Sequence, residues 1–171
     1  METVKDKVVL IGMPGCGKTT IGKVISNELN YNFYDMDSYI ESMVNKTVKE
    51  IFDNGEEEFR ELETQACKEL VCKKRAVISS GGGVVKRKNN IDVLKEDSII
   101  VFIDRPTEKI IGDVDTDSRP LLKEGKDRLY KLYEERYNLY KEAADITIKN
   151  EGFLRDLVDE LLKLLKSKVK E

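Results

Sequence analysis

A glycine-rich loop near the start of the chain has the residue types that bind phosphate. Residues 12–19, GMPGCGKT, match the pattern G-x-x-x-x-G-K-[ST] at every fixed position. Glycines there let backbone N–H groups turn inward and cradle phosphate oxygens. Lys18 can reach the β- and γ-phosphates of a nucleoside triphosphate, and the Thr19 hydroxyl can ligate Mg²⁺. The loop therefore predicts a nucleoside triphosphate site, but it does not indicate what receives the phosphate.

Two acids and a glycine triplet follow the next two predicted strands. Asp35 and Asp37 end the second strand, where alternate side chains share a face, and Gly81, Gly82 and Gly83 follow the third. Glycine is favoured where a ligand approaches the backbone closely. Ligands of open α/β sheets bind at the carboxyl ends of the strands, so we expect both groups beside the phosphate loop. The alternatives are a solvated turn with a Ser38 helix cap and a loose glycine turn.

Two arginines on predicted helices could hold an acidic acceptor. Arg60 lies in the first turn of one long helix, and Arg136 lies within another. A guanidinium matches a carboxylate with two parallel hydrogen bonds, so the pair could hold an anionic group. For Arg60 the alternative is an ion pair with Glu57 or Glu63 on a solvated helix face.

A polar segment without periodicity, residues 112–125, predicts a mobile loop that contains Arg119. Phosphoryl transfer to a hydroxyl needs a triphosphate cradle, a metal, an acceptor held in line and positive charge in the transition state. We expect Arg119 to reach the γ-phosphate when the loop closes and excludes water. Asp35 would hold Mg²⁺ through water, and Asp37 would orient and deprotonate the acceptor hydroxyl. The predicted chemistry is that of a small-molecule kinase.

Alternating strands and helices must position these residues. Apolar runs predict five strands, at 8–11, 31–34, 76–79, 98–104 and 145–148. Helical periodicity predicts helices at 17–29, 39–44, 47–52, 56–72, 89–94, 107–111, 126–143 and 151–168. This alternation is typical of a three-layer α/β sandwich around a parallel sheet, here in a single domain of residues 1–171.

Composition excludes several other classes of protein. The 171 residues carry a net charge of −3, which gives no bulk basicity for nucleic acid or an anionic membrane. We find no run of 18 apolar residues and expect no signal peptide. The three cysteines lack framework spacing, which fits a reducing, cytoplasmic location. Because histidine is absent, a general base must be a carboxylate or a perturbed Lys, Tyr or Cys.

The cysteines have different predicted environments. Cys67 and Cys72 lie in a helical segment and are expected to be small buried hydrophobes. Cys16 lies in the phosphate loop, where a helix terminus could activate a thiol; the alternative is that this variable motif position tolerates many residues.

The complete set of motifs resembles that of the shikimate kinase family over essentially the whole chain. The matching segments are G-x-P-G-x-G-K-T at 12–19, D-x-D-x-x-I-E at 35–41, F-R-E-L-E at 59–63, S-S-G-G-G at 79–83, R-P-L-L at 119–122 and E-R-x-x-x-Y at 135–140. The first is common to phosphate-loop proteins, whereas the set in this order is specific. The resemblance implies transfer of the γ-phosphate of ATP to the 3-hydroxyl of shikimate, in the route to chorismate and the aromatic amino acids.

The resemblance also implies an arrangement and a set of residue roles. It implies the strand order 2-3-1-4-5, an acceptor-binding region at about 35–62, a lid at about 112–125, one Mg²⁺ and a monomeric protein. The implied substrate contacts are Asp37, Arg60, Gly81, Gly82, Gly83 and Arg136. The implied nucleotide contacts are Gly12, Gly15, Cys16, Gly17, Lys18, Thr19, Thr20 and Arg119. Asp37, Lys18 and Arg119 would be catalytic, and Thr19 and Asp35 would serve the metal.

One departure from the family pattern affects the nucleotide base. Family members often carry an arginine several residues before R-P-L-L that stacks on adenine, but residues 109–113 read KIIGD here. Lys109 could replace it in part, or adenine could rest near Lys149 and Asn150. Two rival functions stay open: a related kinase such as a gluconate kinase, and a nucleotide-binding module without catalysis.

Overall fold

The computed structural model of the protein describes residues 3–113 and 125–171. Its strands are β1 (Lys7–Ile11), β2 (Asn32–Asp35), β3 (Ala76–Ser79), β4 (Ser98–Asp104) and β5 (Ile146–Lys149). Its helices are α1 (Lys18–Leu29), α2 (Met36–Val44), α3 (Val48–Asp53), α4 (Glu56–Leu70), α5 (Lys88–Lys95), α6 (Thr107–Asp113), α7 (Gly125–Ala143) and α8 (Leu154–Leu165). A 3₁₀ turn covers Val84–Lys86.

The five strands form one parallel sheet in the order β2-β3-β1-β4-β5, which confirms the predicted fold class and strand order. The central strands β1 and β4 are buried along their whole length, as their nearly continuous apolar sequences predict. The edge strand β5 alternates buried and exposed residues. Since all strands run in the same direction, the segments that follow β1, β2, β3 and β4 meet at one edge.

Local sequence fixes the ends of the helices that flank this edge. Helix α1 begins after Gly17, whose φ of 105° favours glycine, and ends at Asn30 in the left-handed conformation. Helix α2 begins earlier than predicted, because Asp35 caps it by accepting from the backbone N–H of Ser38. The expectation that Ser38 is the cap is therefore wrong; Ser38 donates to the cap instead.

Helix α7 is fixed to the core by tyrosines. Tyr140 is fully buried and stacks on Phe102 of β4, with 5.0 Å between ring centroids. Its hydroxyl donates to the carbonyl oxygen of Gly82 over 2.6 Å. Tyr140 thus connects α7 to the segment that follows β3, and the prediction that the tyrosines of this helix belong to the core is confirmed for this residue.

The three cysteines differ in burial. Cys16 and Cys67 are buried, but Cys72 is exposed, so the prediction of a buried thiol is confirmed for Cys67 and wrong for Cys72. Helix α4 ends at Leu70, before the predicted limit at Cys72. Within residues 3–113 and 125–171, no helix combines the length and apolarity needed to cross a membrane.

Candidate active site

A cleft of about 660 Å³ opens at the carboxyl edge of the sheet, above β1. It is lined by the phosphate loop, by the start of α2, by the segment after β3 and by residues around α6. The lining residues are Pro14, Gly15, Gly17, Lys18, Thr19, Thr20, Asp35, Asp37, Ser79, Ser80, Gly81, Gly82, Arg105, Ile110 and Asp113. The cleft therefore brings together candidate residues that lie far apart in the sequence.

The phosphate loop is closely packed from behind. A Cβ atom at Gly12, where φ is +147°, would lie 2.6 Å from the carbonyl oxygen of Ile103 and 2.8 Å from Sγ of Cys16. Gly12 and Cys16 are buried and contribute backbone to the loop instead of lining the cleft. A larger residue at Gly12 would require the neighbouring backbone to shift. Burial of Cys16 is consistent with packing as the role of its side chain.

Lys18 lies at the mouth of the loop. It is 8% exposed, and its Nζ donates to the carbonyl oxygens of Gly12 and Met13 over 2.8 and 2.9 Å. Thr19 and Thr20 are exposed at the start of α1, where helix N–H groups favour an anion. The loop, the ammonium group and the helix N-terminus therefore face the same part of the cleft.

Asp35 and Asp37 both line the cleft, but not for the predicted reason. Asp35 ends β2, whereas Asp37 lies in the first turn of α2, so the two are not alternate residues of a strand. Oδ2 of Asp35 accepts from both N–H and Oγ of Ser38. Capping is thus part of the role of Asp35, and it holds the carboxylate at the cleft.

The carboxyl group of Asp37 has an unusual environment. Its Oδ1 is buried and has no hydrogen-bond partner among the described residues. Burial raises the pKa of Asp37, and the charge of Asp35 adds to the rise, while Lys18 lowers it. A carboxylate whose proton affinity is raised accepts a proton from a hydroxyl more readily. The site therefore contains a candidate general base.

Arg60 is buried, so the alternative of a solvated helix face is wrong. Its residue exposure is 9%, and its guanidinium donates to Oε1 of Glu63 over 2.8 Å and to Oε1 of Glu56 over 3.2 Å. Glu57 pairs with Arg87 instead. Arg60 does not line the cleft itself but lies directly behind the glycine segment.

The three glycines have distinct surroundings. Gly81 and Gly82 line the cleft, and a Cβ at Gly82 would lie 2.8 Å from Cδ of Pro14 in the phosphate loop. Gly83 does not line the cleft; a Cβ there would lie 2.5 Å from Nη2 of Arg60. The triplet therefore lets the phosphate loop and the buried arginine approach the same backbone closely.

Glu63 is a site residue that the sequence indicated only as a possible partner of Arg60. It is fully buried, and its Oε2 has no hydrogen-bond partner among the described residues. A Cβ at Gly81 would lie 3.1 Å from this oxygen and 3.2 Å from Oδ1 of Asp37, so both unpaired oxygens face one position. Burial raises the pKa of Glu63, Arg60 lowers it, and Asp37 raises it further. The sequence contains a signal for Glu63, because it follows Arg60 by three residues on a predicted helix, and residues at this spacing are neighbours.

Arg136 is half-buried on α7 and reaches the same group of charges. Its positive charge lowers the pKa of Glu63, as the charge of Arg60 does. Burial raises the pKa of Tyr140 to about 12, and Arg136 opposes that rise through its charge and a hydrogen bond. The two arginines predicted to hold an acidic acceptor therefore act on one carboxylate, although they come from helices α4 and α7.

The side chains proposed for a metal ion fit Mg²⁺. Thr19 and Asp35 both line the cleft next to the phosphate loop. Among the described residues, no cluster of three or more His, Cys, Asp or Glu could hold a metal alone. Mg²⁺ commonly uses one or two protein oxygens and completes its shell with water and substrate phosphates, so this sparse donor set suits it.

Two predictions concern the region between α6 and α7. Arg119 and most of the predicted lid lie in residues 114–124, outside the part of the chain that the structure describes. Near α6, Nζ of Lys109 donates to the carbonyl oxygen of Glu151, and Nδ2 of Asn150 donates to the carbonyl oxygen of Cys16 over 2.9 Å. Lys109 and Asn150, two of the three residues suggested for adenine, therefore hold neighbouring segments together.

Arg105 lines the cleft and was missed in the sequence. It directly follows β4, and its Nη1 donates to the carbonyl oxygen of Gly15 over 3.1 Å. The sequence does contain a signal for Arg105. The residue follows a predicted strand directly, so it lies at the same edge of the sheet as Asp35 at the end of β2.

Comparison with known proteins gives a consistent result. The family model described as "Shikimate kinase" matches residues 14–166. A shikimate kinase of Clostridium beijerinckii is 57% identical over 162 residues, which cover 95% of this chain and 96% of that protein. A shikimate kinase of Clostridium botulinum, strain Alaska E43, is 49% identical over 95% of this chain and 98% of that protein.

A solved structure agrees with the sequence relatives. The shikimate kinase of Acinetobacter baumannii in complex with shikimate superposes with a TM-score of 0.87 at 35% identity, covering 99% of this chain and 97% of that one. The match therefore includes the sheet, the surrounding helices and the segments that form the cleft. By its family model, its relatives and its fold, the chain belongs to the shikimate kinase family.

Proposed function

We propose that the cleft transfers the γ-phosphate of ATP to the 3-hydroxyl of shikimate, and that each of its two sides binds one substrate. The observation that carries this proposal is the position of Asp37. Asp37 lines the same cleft as Lys18 and Thr19, and its buried oxygen has no hydrogen-bond partner in the part of the chain that the structure describes. A hydroxyl that donates to this oxygen would stand next to the phosphate loop, where phosphoryl transfer requires it.

On the nucleotide side, the backbone binds the phosphate chain. The backbone N–H groups of the loop at 12–19, other than Pro14, which has none, and the N-terminus of α1 supply donors. Gly12, Gly15, Cys16, Gly17, Thr19 and Thr20 contribute backbone or hydroxyl groups. Lys18 would exchange its carbonyl contacts for oxygens of the β- and γ-phosphates and stabilise charge in the transition state.

Thr19 and Asp35 would hold one Mg²⁺, Thr19 through its hydroxyl and Asp35 through water. The ion would supply charge neutralisation at the phosphate oxygens. The side chain of Asp35 is kept in place by the two bonds from Ser38, which limits its freedom to turn away from the cleft.

On the acceptor side, Arg60 and Arg136 would bind the carboxylate of shikimate. Two guanidinium groups matched to one carboxylate fix both its position and its orientation. Glu63 holds Arg60 at 2.8 Å and thereby aims the guanidinium, while backbone groups of Gly81 and Gly82 border the ring of the acceptor and Gly83 leaves room for the guanidinium. Fixing the ring directs one hydroxyl toward Asp37.

Asp37 would accept the proton of that hydroxyl as the phosphoryl group is transferred. Its raised pKa makes it a better base than an exposed carboxylate. Arg119 would approach the γ-phosphate from a lid at about 112–125, which closes over the acceptor region at about 35–62 and excludes water. We further propose that the protein acts as a monomer, because each of these groups belongs to one chain, and that it is cytoplasmic, because its three cysteines are free and lack disulfide spacing.

The test is a coupled ADP-release assay with Mg·ATP and three conditions: shikimate, gluconate and no acceptor. Release that depends on shikimate is the expected result. Release with gluconate alone would show that the acceptor assignment is wrong while the nucleotide site is right. Measurable ATP binding without release under any condition would identify a binding module and overturn the proposal.

A further inference from the structure

The guanidinium of Arg60 is held at two of its three nitrogens. Nη1 donates to Oε1 of Glu63 over 2.8 Å, and Nε donates to Oε1 of Glu56 over 3.2 Å. Nη2 has no hydrogen-bond partner in residues 3–113 and 125–171, and a Cβ atom at Gly83 would lie 2.5 Å from it. The direction in which this nitrogen points therefore depends on both carboxylates.

The two carboxylates that hold Arg60 differ in exposure. Glu63 is fully buried, whereas the side chain of Glu56, in the first turn of α4, is 50% exposed. A carboxylate so open to water keeps its orientation only if a further group holds it. Lys86 is that group, because its Nζ donates to the same Oε1 of Glu56 over 2.6 Å. This hydrogen bond lowers the pKa of Glu56, and the bond from Arg60 adds to the lowering.

Lys86 is also fixed to the glycine segment. It ends the 3₁₀ turn Val84–Lys86, and its backbone N–H donates to the carbonyl oxygen of Gly83 over 3.0 Å. Its side chain crosses from this turn to the start of α4. One residue thus connects the glycine segment with the outer carboxylate that holds Arg60.

The charges around Arg60 give this lysine a second effect. With Glu56 and Glu63 ionised, their negative charges equal the positive charges of Arg60 and Arg136, so these four groups offer no net charge to an anion. Lys86 adds one positive charge beside Glu56. The five groups then carry a net charge of the sign that favours a carboxylate.

We propose that Lys86 is a positioning residue for the acceptor carboxylate. By holding Glu56, it keeps Nη2 of Arg60 directed at the acceptor and prevents Glu56 from neutralising the guanidinium. Lys86 does not line the cleft, so it acts through Glu56 and not by touching a substrate. This inference rests on the acceptor site proposed above.

The experiment compares the unaltered protein with Lys86→Met and Lys86→Arg. Calorimetry measures Kd for shikimate, and the coupled assay measures kcat and both KM values. We expect Lys86→Met to raise Kd and KM for shikimate about threefold, the scale of a half-exposed ion pair, with kcat and KM for ATP unchanged. Lys86→Arg keeps the charge and the donor, so its values should stay close to those of the unaltered protein.

A double-mutant cycle tests whether Glu56 transmits the effect. In a Glu56→Gln background there is no ion pair for Lys86 to make with this position, and the remaining groups stay positive without the lysine. Adding Lys86→Met there should change Kd for shikimate by less than about 1.5-fold. A threefold change that persists in this background would show that Lys86 acts by its charge alone, which contradicts positioning through Glu56.

A matched control is Lys88→Met. Lys88 also pairs with one carboxylate, that of Asp92 at 3.1 Å, but this pair lies within α5. The substitution should leave Kd for shikimate, both KM values and kcat unchanged. Thermal unfolding of every variant establishes that it is folded.

The remaining outcomes contradict the proposal in distinct ways. Unchanged Kd for shikimate in Lys86→Met would remove Lys86 from the acceptor side. Equal rises in KM for shikimate and for ATP would show a disturbed fold and not a lost position. A loss in Lys86→Arg as large as in Lys86→Met would show that neither charge nor donor matters. Failure of the unaltered protein to bind shikimate would overturn the proposed function itself, and this inference with it.

Discussion

The two sides of the cleft are built in different ways. The proposed nucleotide side is one continuous loop of eight residues, 12–19, between β1 and the first turn of α1, and most of the donors proposed for it are backbone N–H groups. The proposed acceptor side collects Asp37, Arg60, Glu63 and Arg136 from three helices, and the chemistry proposed for it depends on side-chain charges. A contiguous motif can therefore form the first side, whereas only the packing of distant helices can form the second.

The difference extends to burial. Lys18 is satisfied by two loop carbonyls, while Asp37 and Glu63 each keep a buried oxygen without a hydrogen-bond partner in residues 3–113 and 125–171. Unpaired buried polar atoms destabilise a fold, so their presence at one position marks a place where a ligand's hydroxyl can donate. The acceptor side is thus expected to be sensitive to small changes of charge, and the nucleotide side to changes of backbone shape.

The largest expected effect is on catalysis, from Asp37→Asn. The amide keeps the size of the side chain but removes the base, so kcat should fall about 10²-fold or more while ADP affinity stays nearly constant. Stopped assays with saturating shikimate, together with calorimetry for ADP, measure both quantities. Turnover close to that of the unaltered protein would exclude Asp37 as the base.

The next effect tests whether the two sides of the cleft bind their substrates independently. Arg136→Ala removes one of two groups proposed to hold a carboxylate and should raise KM for shikimate about tenfold or more, with a much smaller change for ATP. Arg128→Ala, an exposed position on the same helix, is the matched control and should change neither value. Equal increases for both substrates would indicate a disturbed fold and not a lost contact.

A smaller effect is expected from Glu63→Gln. The amide can still accept from Arg60, but without its charge the bond weakens, so KM for shikimate should rise about threefold to tenfold. The KM for ATP should be unaffected, because Glu63 does not line the nucleotide side. The same loss in both KM values would mean that the two sides are coupled through α4.

The smallest effect is a shift along the pH axis. Asp37 must be ionised to accept a proton, and burial raises its pKa, so the acidic limb of kcat should lie above the ordinary range of an aspartate. Activity should be complete above this limb and fall as the pH decreases through it. Asp35→Asn removes the negative charge that adds to this rise and should move the limb toward lower pH. A limb that does not move would show that the two carboxylates do not interact.

Much of the nucleotide side was predictable from the sequence. The motif at 12–19 specifies a loop conformation through its own glycines, so Gly17 and Lys18 lie where the pattern indicates. The sheet order was implied by the family resemblance and is confirmed. On the acceptor side, the sequence identified Arg60 and Arg136 by residue type. It left two roles open for Arg60: binding of the acceptor, or an ion pair on a solvated helix face.

The sequence by itself determined the strands, the phosphate loop and the family, because these depend on local periodicity and on motifs in a fixed order. Only the tertiary structure decided that Arg60 is buried behind Gly83, that Glu63 and Asp37 face one position, and that Arg105 reaches Gly15. These facts depend on which face of a helix turns inward and on contacts across long stretches of chain. Side-chain burial and pKa follow from that packing, and no local pattern specifies it.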